Sequence, residues 1–278
     1  MCDAAGREFG ELCDGFIVMA TGTVHIELRE ALAIVELRSP PLNRIDRAMI
    51  DGLRSAVTEL ERADDVRALL LRGDGEVFSA GADVRVFNGL GTLEAAELAR
   101  SFMDLAARIE HLPFPTLAAA HGQCVAGGLE LALFCDLLWC AQETLVGLPE
   151  ARLGLMPLAG GVQRLAARAG VGRARAMTYA GALHPAEHVV GWGVVDRVLP
   201  PDQLQPEAEA FTTQLAAGPT QSLAAIKRVL LTQRDLSIGA ADAALLDEVV
   251  DVFASADAQA GIAAYLRGDL ADLRFSGF

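Results

Sequence analysis

The stretch FPTLAAAHGQCVAGGLELALFCDLLWCA, residues 114–141, runs from a short β-type segment through a glycine pair into an apolar segment that starts as a helix. A strand, a tight turn and a helix in immediate succession are the building unit of an α/β chain. Gly127 and Gly128 fall at the start of the helix, where backbone N–H groups lack intrahelical partners and the macrodipole is positive. Such a corner can receive an anion or a developing oxyanion, although an ordinary glycine-rich turn has the same composition. Glu130 follows within the first turn, between Leu129 and Leu131. Burying a carboxylate there without compensation costs several kcal/mol, so the residue needs either partners or a chemical task.

Outward from this unit the alternation continues. ALAIVELR (31–38) and VRALLLRG (66–73) are strand-like, while DRAMIDGLRSAVTELERADD (46–65) places Ile50, Leu53, Val57 and Leu60 on one helical face. TLEAAELARSFMDLAARIEHL (92–112) is a second amphipathic helix. Beyond about Gly170 the β-type runs fade, apart from VVDRVLP (194–200), and helical patterns dominate through QSLAAIKRVLLTQ (221–233), AADAALLDEVVDVFASAD (240–257) and AQAGIAAYLRG (258–268). The expected organisation is a flexible extension over residues 1–22, an α/β core over 23–200 and a C-terminal helical region over 201–278. Some apolar stripes of that last region are expected to pack against another subunit.

Composition narrows the function. With 278 residues and 52% hydrophobic content the chain can bury a large core. Lys and Arg number 23 against 37 Asp and Glu, a net charge of −14, which argues against nucleic acid as a partner. Cys2, Cys13, Cys124, Cys135 and Cys140 form neither CxxC nor zinc-type spacing, so reduced thiols in a cytoplasmic setting are expected. The N-terminal stretch lacks the basic and apolar regions of a signal peptide, and nowhere is there an uncharged apolar run of membrane-spanning length.

A second loop resembles the first in character. GEVFSAGADVRVF (75–87) follows a strand and offers Ser79, Ala80, Gly81 and Ala82, small residues that let a ligand lie against backbone. An N–H from this loop and one from Gly127 could form an oxyanion hole; the plain alternative is a strand-to-helix turn capped by Asp83. Glu150, in TLVGLPEARLGLMP (144–157), sits in a further loop that leads to LAGGVQRL (158–165). Alone it reads as a helix-start acid or a partner of Arg152. Paired with Glu130, it suggests acid–base work on one substrate.

FSAGADV, AGGLELALFCD, GLPEARLGLMP and AGGVQRL, in this order and spacing, resemble the crotonase superfamily, and specifically its enoyl-CoA hydratases. MTYAGALHPAEHVVGWGVVDRVLP (177–200) and FASADAQAGIAAY (253–265) extend the resemblance from about Val24 to the C-terminus. It implies a crotonase-like fold of repeated ββα units with a C-terminal helical region, and a trans-2-enoyl-CoA substrate of the kind consumed in β-oxidation. It further implies that Ala82 and Gly127 donate the two oxyanion-hole hydrogen bonds, that Glu130 activates water and that Glu150 exchanges a proton at the α-carbon. Ala80, Asp83, Val84 and Arg85 are the implied CoA contacts. Neither a metal nor a cofactor beyond the substrate's own CoA is implied, and the implied assembly is a homotrimer or a dimer of trimers. Double-bond isomerisation on the same scaffold, which needs only one glutamate, and non-catalytic acyl-CoA binding are the alternatives.

Departures from the family pattern are Ala126 in the usual glycine triplet, Leu158 where relatives have Gly and Val162 where they often have Thr. His121 and Asp136 read as structural; Lys227 and Arg267 on late helices could reach phosphate, but solvated helix faces are the plainer reading. No P-loop or GxGxxG fingerprint occurs.

Overall fold

A computed structural model describes residues 17–21 and 23–277. Its strands are β1 (Ile17–Thr21), β2 (Val24–Arg29), β3 (Leu32–Leu37), β4 (Ala68–Gly73), β5 (Thr116–Ala120), β6 (Gln123–Val125), β7 (Leu137–Ala141), β8 (Leu145–Gly147), β9 (His184–Pro185) and β10 (Arg197–Leu199). Its α-helices are α1 (Arg47–Arg62), α2 (Thr92–Glu110), α3 (Gly127–Ala132), α4 (Gly161–Ala169), α5 (Val171–Ala180), α6 (Ala186–Val189), α7 (Pro201–Ala216), α8 (Thr220–Asp235), α9 (Ile238–Ala254) and α10 (Ala256–Arg267). The large sheet has the order β1-β2-β3-β4-β5-β7-β10, and a small one has the order β6-β8-β9.

From β3 to β10 the large sheet is parallel, with antiparallel β1 and β2 at one edge. Both faces of its centre are covered, which explains why β4 reads as the continuous run ALLL rather than an alternation. Leu69 and Leu71 join the core formed with Leu53, Val57 and Leu60 of α1 and Leu105 and Ile109 of α2. Ala68 and Leu70 point the other way, into a second cluster with Leu204, Ala208 and Ala216 of α7. Helix α1 starts where Asp46 accepts a 2.9 Å hydrogen bond from the Met49 N–H, the usual N-cap geometry.

Three features differ from the sequence expectations. The helix after the glycine pair ends at Ala132, and DLLWCA enters strand β7 in the sheet interior instead of continuing it. A fully buried strand and a buried helical segment cannot be told apart by apolar content, and pairing of β7 between β5 and β10 settles the matter. Residues 17–21, assigned above to a flexible extension, form β1 along β2; the rest of that extension lies outside the described residues. Lys227 is not on a solvated face. It is 8% exposed, donates to the Phe114 carbonyl at 3.1 Å and pairs with Asp136 at 2.9 Å. Asp136 also accepts from the Thr116 N–H and hydroxyl, so it is the structural acid expected. Arg267 pairs with Asp269 at the surface.

Helices α8 and α9 lie against each other, and α9 leaves Leu246, Val250 and Phe253 each at least 60% exposed. Among the described residues no helix is long and apolar enough to cross a membrane.

Candidate active site

The loop after β4 and the entrance to α3 are brought together by backbone pairing. The Ser79 N–H donates to the Gln123 carbonyl at 2.9 Å, and the Val125 N–H donates back to the Ser79 carbonyl at 3.2 Å. This approach leaves no room for side chains: a Cβ on Gly128 would lie 2.6 Å from the Ser79 oxygen, and one on Gly81, whose φ is +85°, would lie 2.6 Å from the Ala126 Cβ. Ala126 itself sits at φ +51°, in the region where a glycine would be unstrained. Its side chain therefore makes the departure from the family's glycine triplet a strained one.

Ala82 and Gly127 meet at this junction. A methyl on Gly127 would stand 3.4 Å from the Ala82 nitrogen. The carbonyl of Gly81 and the N–H of Asp83 are both bonded to Ile45, and Ala126 donates to Gly147, but among the described residues the N–H groups of Ala82 and Gly127 have no acceptor. Both residues line a cavity of roughly 270 Å³, together with Glu130 and Glu150. Its other walls include Val84, Phe87, Phe102, Leu153, Leu155, Met156 and Leu158. Two unoccupied backbone donors and two carboxyl groups thus share one mostly apolar chamber.

The two acids are held differently. Glu130 is 3% exposed, and its Oε1 accepts from the N–H of Ala159 at 2.9 Å and of Gly161 at 2.8 Å. Burial pushes its carboxyl above the ordinary value, opposed by these backbone donors and by the Arg164 guanidinium. The partners demanded by the sequence are therefore the N–H groups at the start of α4, placed there by the second glycine pair, Gly160 and Gly161. Glu150 begins a 3-10 turn, Glu150–Leu153, after Pro149. Its Oε2 is buried with no hydrogen-bond partner, and no ion pair joins it to Arg152 among the described residues. Burial raises its carboxyl to about 7; a hydrogen bond with its own backbone opposes this, and the negative charge of Glu130 adds to it.

The loop residues expected near CoA take several roles. Val84 is half exposed and lines the cavity. The Ala80 N–H is used within the fold, donating to Leu42 at 2.9 Å. Asp83 caps the 3-10 turn that follows it, accepting from the Arg85 N–H at 3.0 Å, and the Arg85 guanidinium folds onto the same carboxylate. These bonds hold the Asp83 carboxyl down to about 2. The Arg85 side chain is otherwise 85% exposed. His121 donates from Nε2 to the Gly75 carbonyl, 2.9 Å away, and does not line the cavity.

Sequence reasoning missed Ala159 and Gly161 as the anchors of Glu130. The signal was the Gly160–Gly161 pair before a helical run, the same device as Gly127–Gly128. It also missed Phe87, which ends the 3-10 turn Val84–Phe87, and Phe102, which reaches the cavity through the packing of α2.

The chain belongs to the enoyl-CoA hydratase/isomerase family, whose model matches residues 27–269, and it has the crotonase fold. It is similar to a probable enoyl-CoA hydratase of Bacillus subtilis, 30% identical over 246 residues that cover 87% of this chain and 95% of the relative. It is 33% identical over 224 residues to the probable enoyl-CoA hydratase EchA17 of Mycobacterium bovis, covering 81% of this chain and 86% of that protein. Among solved structures, DspI of Pseudomonas aeruginosa superposes with a TM-score of 0.85 at 30% identity, covering 89% of this chain and 95% of DspI.

Proposed function

We propose that the protein is an enoyl-CoA hydratase that adds water to a trans-2-enoyl-CoA and yields a 3-hydroxyacyl-CoA, as in fatty-acid β-oxidation. The observation that carries this reading is the chamber in which Glu130 and Glu150 stand beside the unpaired N–H groups of Ala82 and Gly127. The thioester oxygen would receive both N–H groups. As water adds at the β-carbon that oxygen gains enolate charge, and fixed donors stabilise it more than they stabilise the ground state.

The environments of the acids support a division of labour between them. Burial raises both carboxyls, but at Glu130 two backbone donors oppose it and favour the ionised form, which suits that acid to take a proton from water. Burial and an unpartnered oxygen favour neutral Glu150, which suits it to deliver a proton to the α-carbon. The loop from Ala80 to Arg85 would receive the CoA moiety, and the reaction as written needs no metal or further cofactor. Contact of Arg85 with a CoA phosphate would require it to share or release Asp83.

Isomerisation remains the second reading, favoured only if one acid proves dispensable. Rates with trans-2- and 3-enoyl-CoAs, measured for wild type, Glu130→Gln and Glu150→Gln, separate the two. Hydration lost in both variants supports the hydratase; wild-type turnover restricted to 3-enoyl substrates overturns it. The same reading takes a homotrimer, or a dimer of trimers, as the working assembly, supported by the apolar face of α9. Sedimentation at a mass of one chain would contradict it. Three buried free thiols, Cys124, Cys135 and Cys140, are in keeping with a cytoplasmic, reducing setting.

A further inference from the structure

Arg164 lies one turn into α4, behind the cavity wall and outside the cavity lining. Its side chain is 15% exposed and makes four contacts, two of them to segments that flank Glu130. The guanidinium grips Glu110 through both carboxylate oxygens, with Nε 3.0 Å from Oε1. Nη1 donates to the Gly160 carbonyl at 3.3 Å, and the planar group stands 5.1 Å from the centroid of the Phe134 ring. Gly160 immediately precedes the Gly161 N–H that binds Glu130, and Phe134 lies just beyond the helix that carries Glu130. Arg164 therefore ties together the two segments between which that acid is held. Glu110 is itself 5% exposed and shared with Arg234 of α8, so the clamp is anchored in the C-terminal helices.

We infer that Arg164 is a positioning residue for Glu130, locking the Gly160–Gly161 turn against α3, with Glu110 and Arg234 fixing its guanidinium from behind. The inference rests on the hydratase reading for its kinetic consequence, but not for its structural one. The charged group that acts on Glu130 is Arg164, which favours its ionised form, while Glu130 in turn pushes the Glu150 carboxyl upward. Loss of the Arg164 charge by itself shifts the ionisation of Glu130. A positioning arginine also lowers kcat when the charge is kept and the fork is lost.

The test compares Arg164→Met with Arg164→Lys and with the double variant Glu110→Gln/Arg164→Met, which removes the buried charge left with Arg234 alone, should the single change fail to fold. In turnover, Arg164→Met and the double variant should lose on the order of tenfold or more in kcat with little change in KM. The acidic limb of kcat should move to higher pH, and Arg164→Lys, which keeps the charge without the fork, should restore the limb but only part of kcat. Independently of turnover, infrared titration of the carboxyl bands in a Glu150→Gln background, with the Glu130 band assigned by its loss in Glu130→Gln, should show Glu130 ionising at higher pH without Arg164. Folded variants with an unchanged Glu130 titration, or full wild-type kcat in Arg164→Lys, overturn the inference. A shifted titration in a protein that hydrates no enoyl-CoA upholds it and overturns the hydratase reading instead.

Discussion

Replacing Glu150 by Gln should make the protein more stable in alkaline solution than in acid, relative to wild type. Burial raises the Glu150 carboxyl from 4.5 to about 7, so the folded state binds a proton that the unfolded chain releases between those values. A group of this kind contributes fully below pH 4.5, and its contribution is lost as pH rises through about 7. At about 1.4 kcal/mol per pH unit the interval corresponds to about 3 kcal/mol, and partial solvent access reduces this to about 2 kcal/mol. Glutamine has nearly the same shape and does not titrate. Urea unfolding of both proteins at pH 5, 6, 7 and 8 should therefore show the variant gaining on wild type by about 2 kcal/mol across the series, with equal m-values. Every other acid is present in both proteins, and all but Glu130, which is coupled to Glu150, cancel in the difference. A difference that stays flat with pH would refute the reasoning, since it would mean that Glu150 titrates as a solvated carboxyl.

Gly161→Ala should cut hydration on the order of a hundredfold while thioester binding survives, because the new Cβ would lie 2.6 Å from the Glu130 Cγ and displace that acid. Steady-state kcat and the dissociation constant of a saturated acyl-CoA check the two halves. Leu158→Ala should enlarge the cavity beside Glu130 and shift kcat/KM by about tenfold toward longer acyl chains, read from a ladder of trans-2-enoyl-CoAs. Lys227→Met should destabilise the fold by about 3 kcal/mol or more, because it strips Asp136 of its cation and empties the Phe114 carbonyl; urea unfolding measures it.

Much of this arrangement was legible in the chain itself. The α/β alternation, the face of α1 built from Ile50, Leu53, Val57 and Leu60, and the placement of Gly127 at a helix start all follow from periodicity and turn chemistry. That Glu130 needs partners was also legible, from the cost of burying charge. Which groups supply them was not, because Ala159 and Gly161 are distant in sequence and reach Glu130 only through the packing of α4. Lys227 was misjudged for the same kind of reason: a lysine on a helix is solvated by default, and only the docking of α8 over Phe114 and Asp136 buries it. The strand β7 was hidden because a buried strand carries no alternation to betray it.

The most direct test of the central claim is the absorbance of the conjugated thioester when the protein meets crotonyl-CoA and longer trans-2-enoyl-CoAs, with product mass recorded alongside. Wild type should consume the absorbance and yield a product heavier by one water, while Glu130→Gln and Glu150→Gln bind the thioester but turn over slower by about a hundredfold or more. Binding by wild type with no loss of absorbance at any chain length, or undiminished turnover in both variants, would contradict the account.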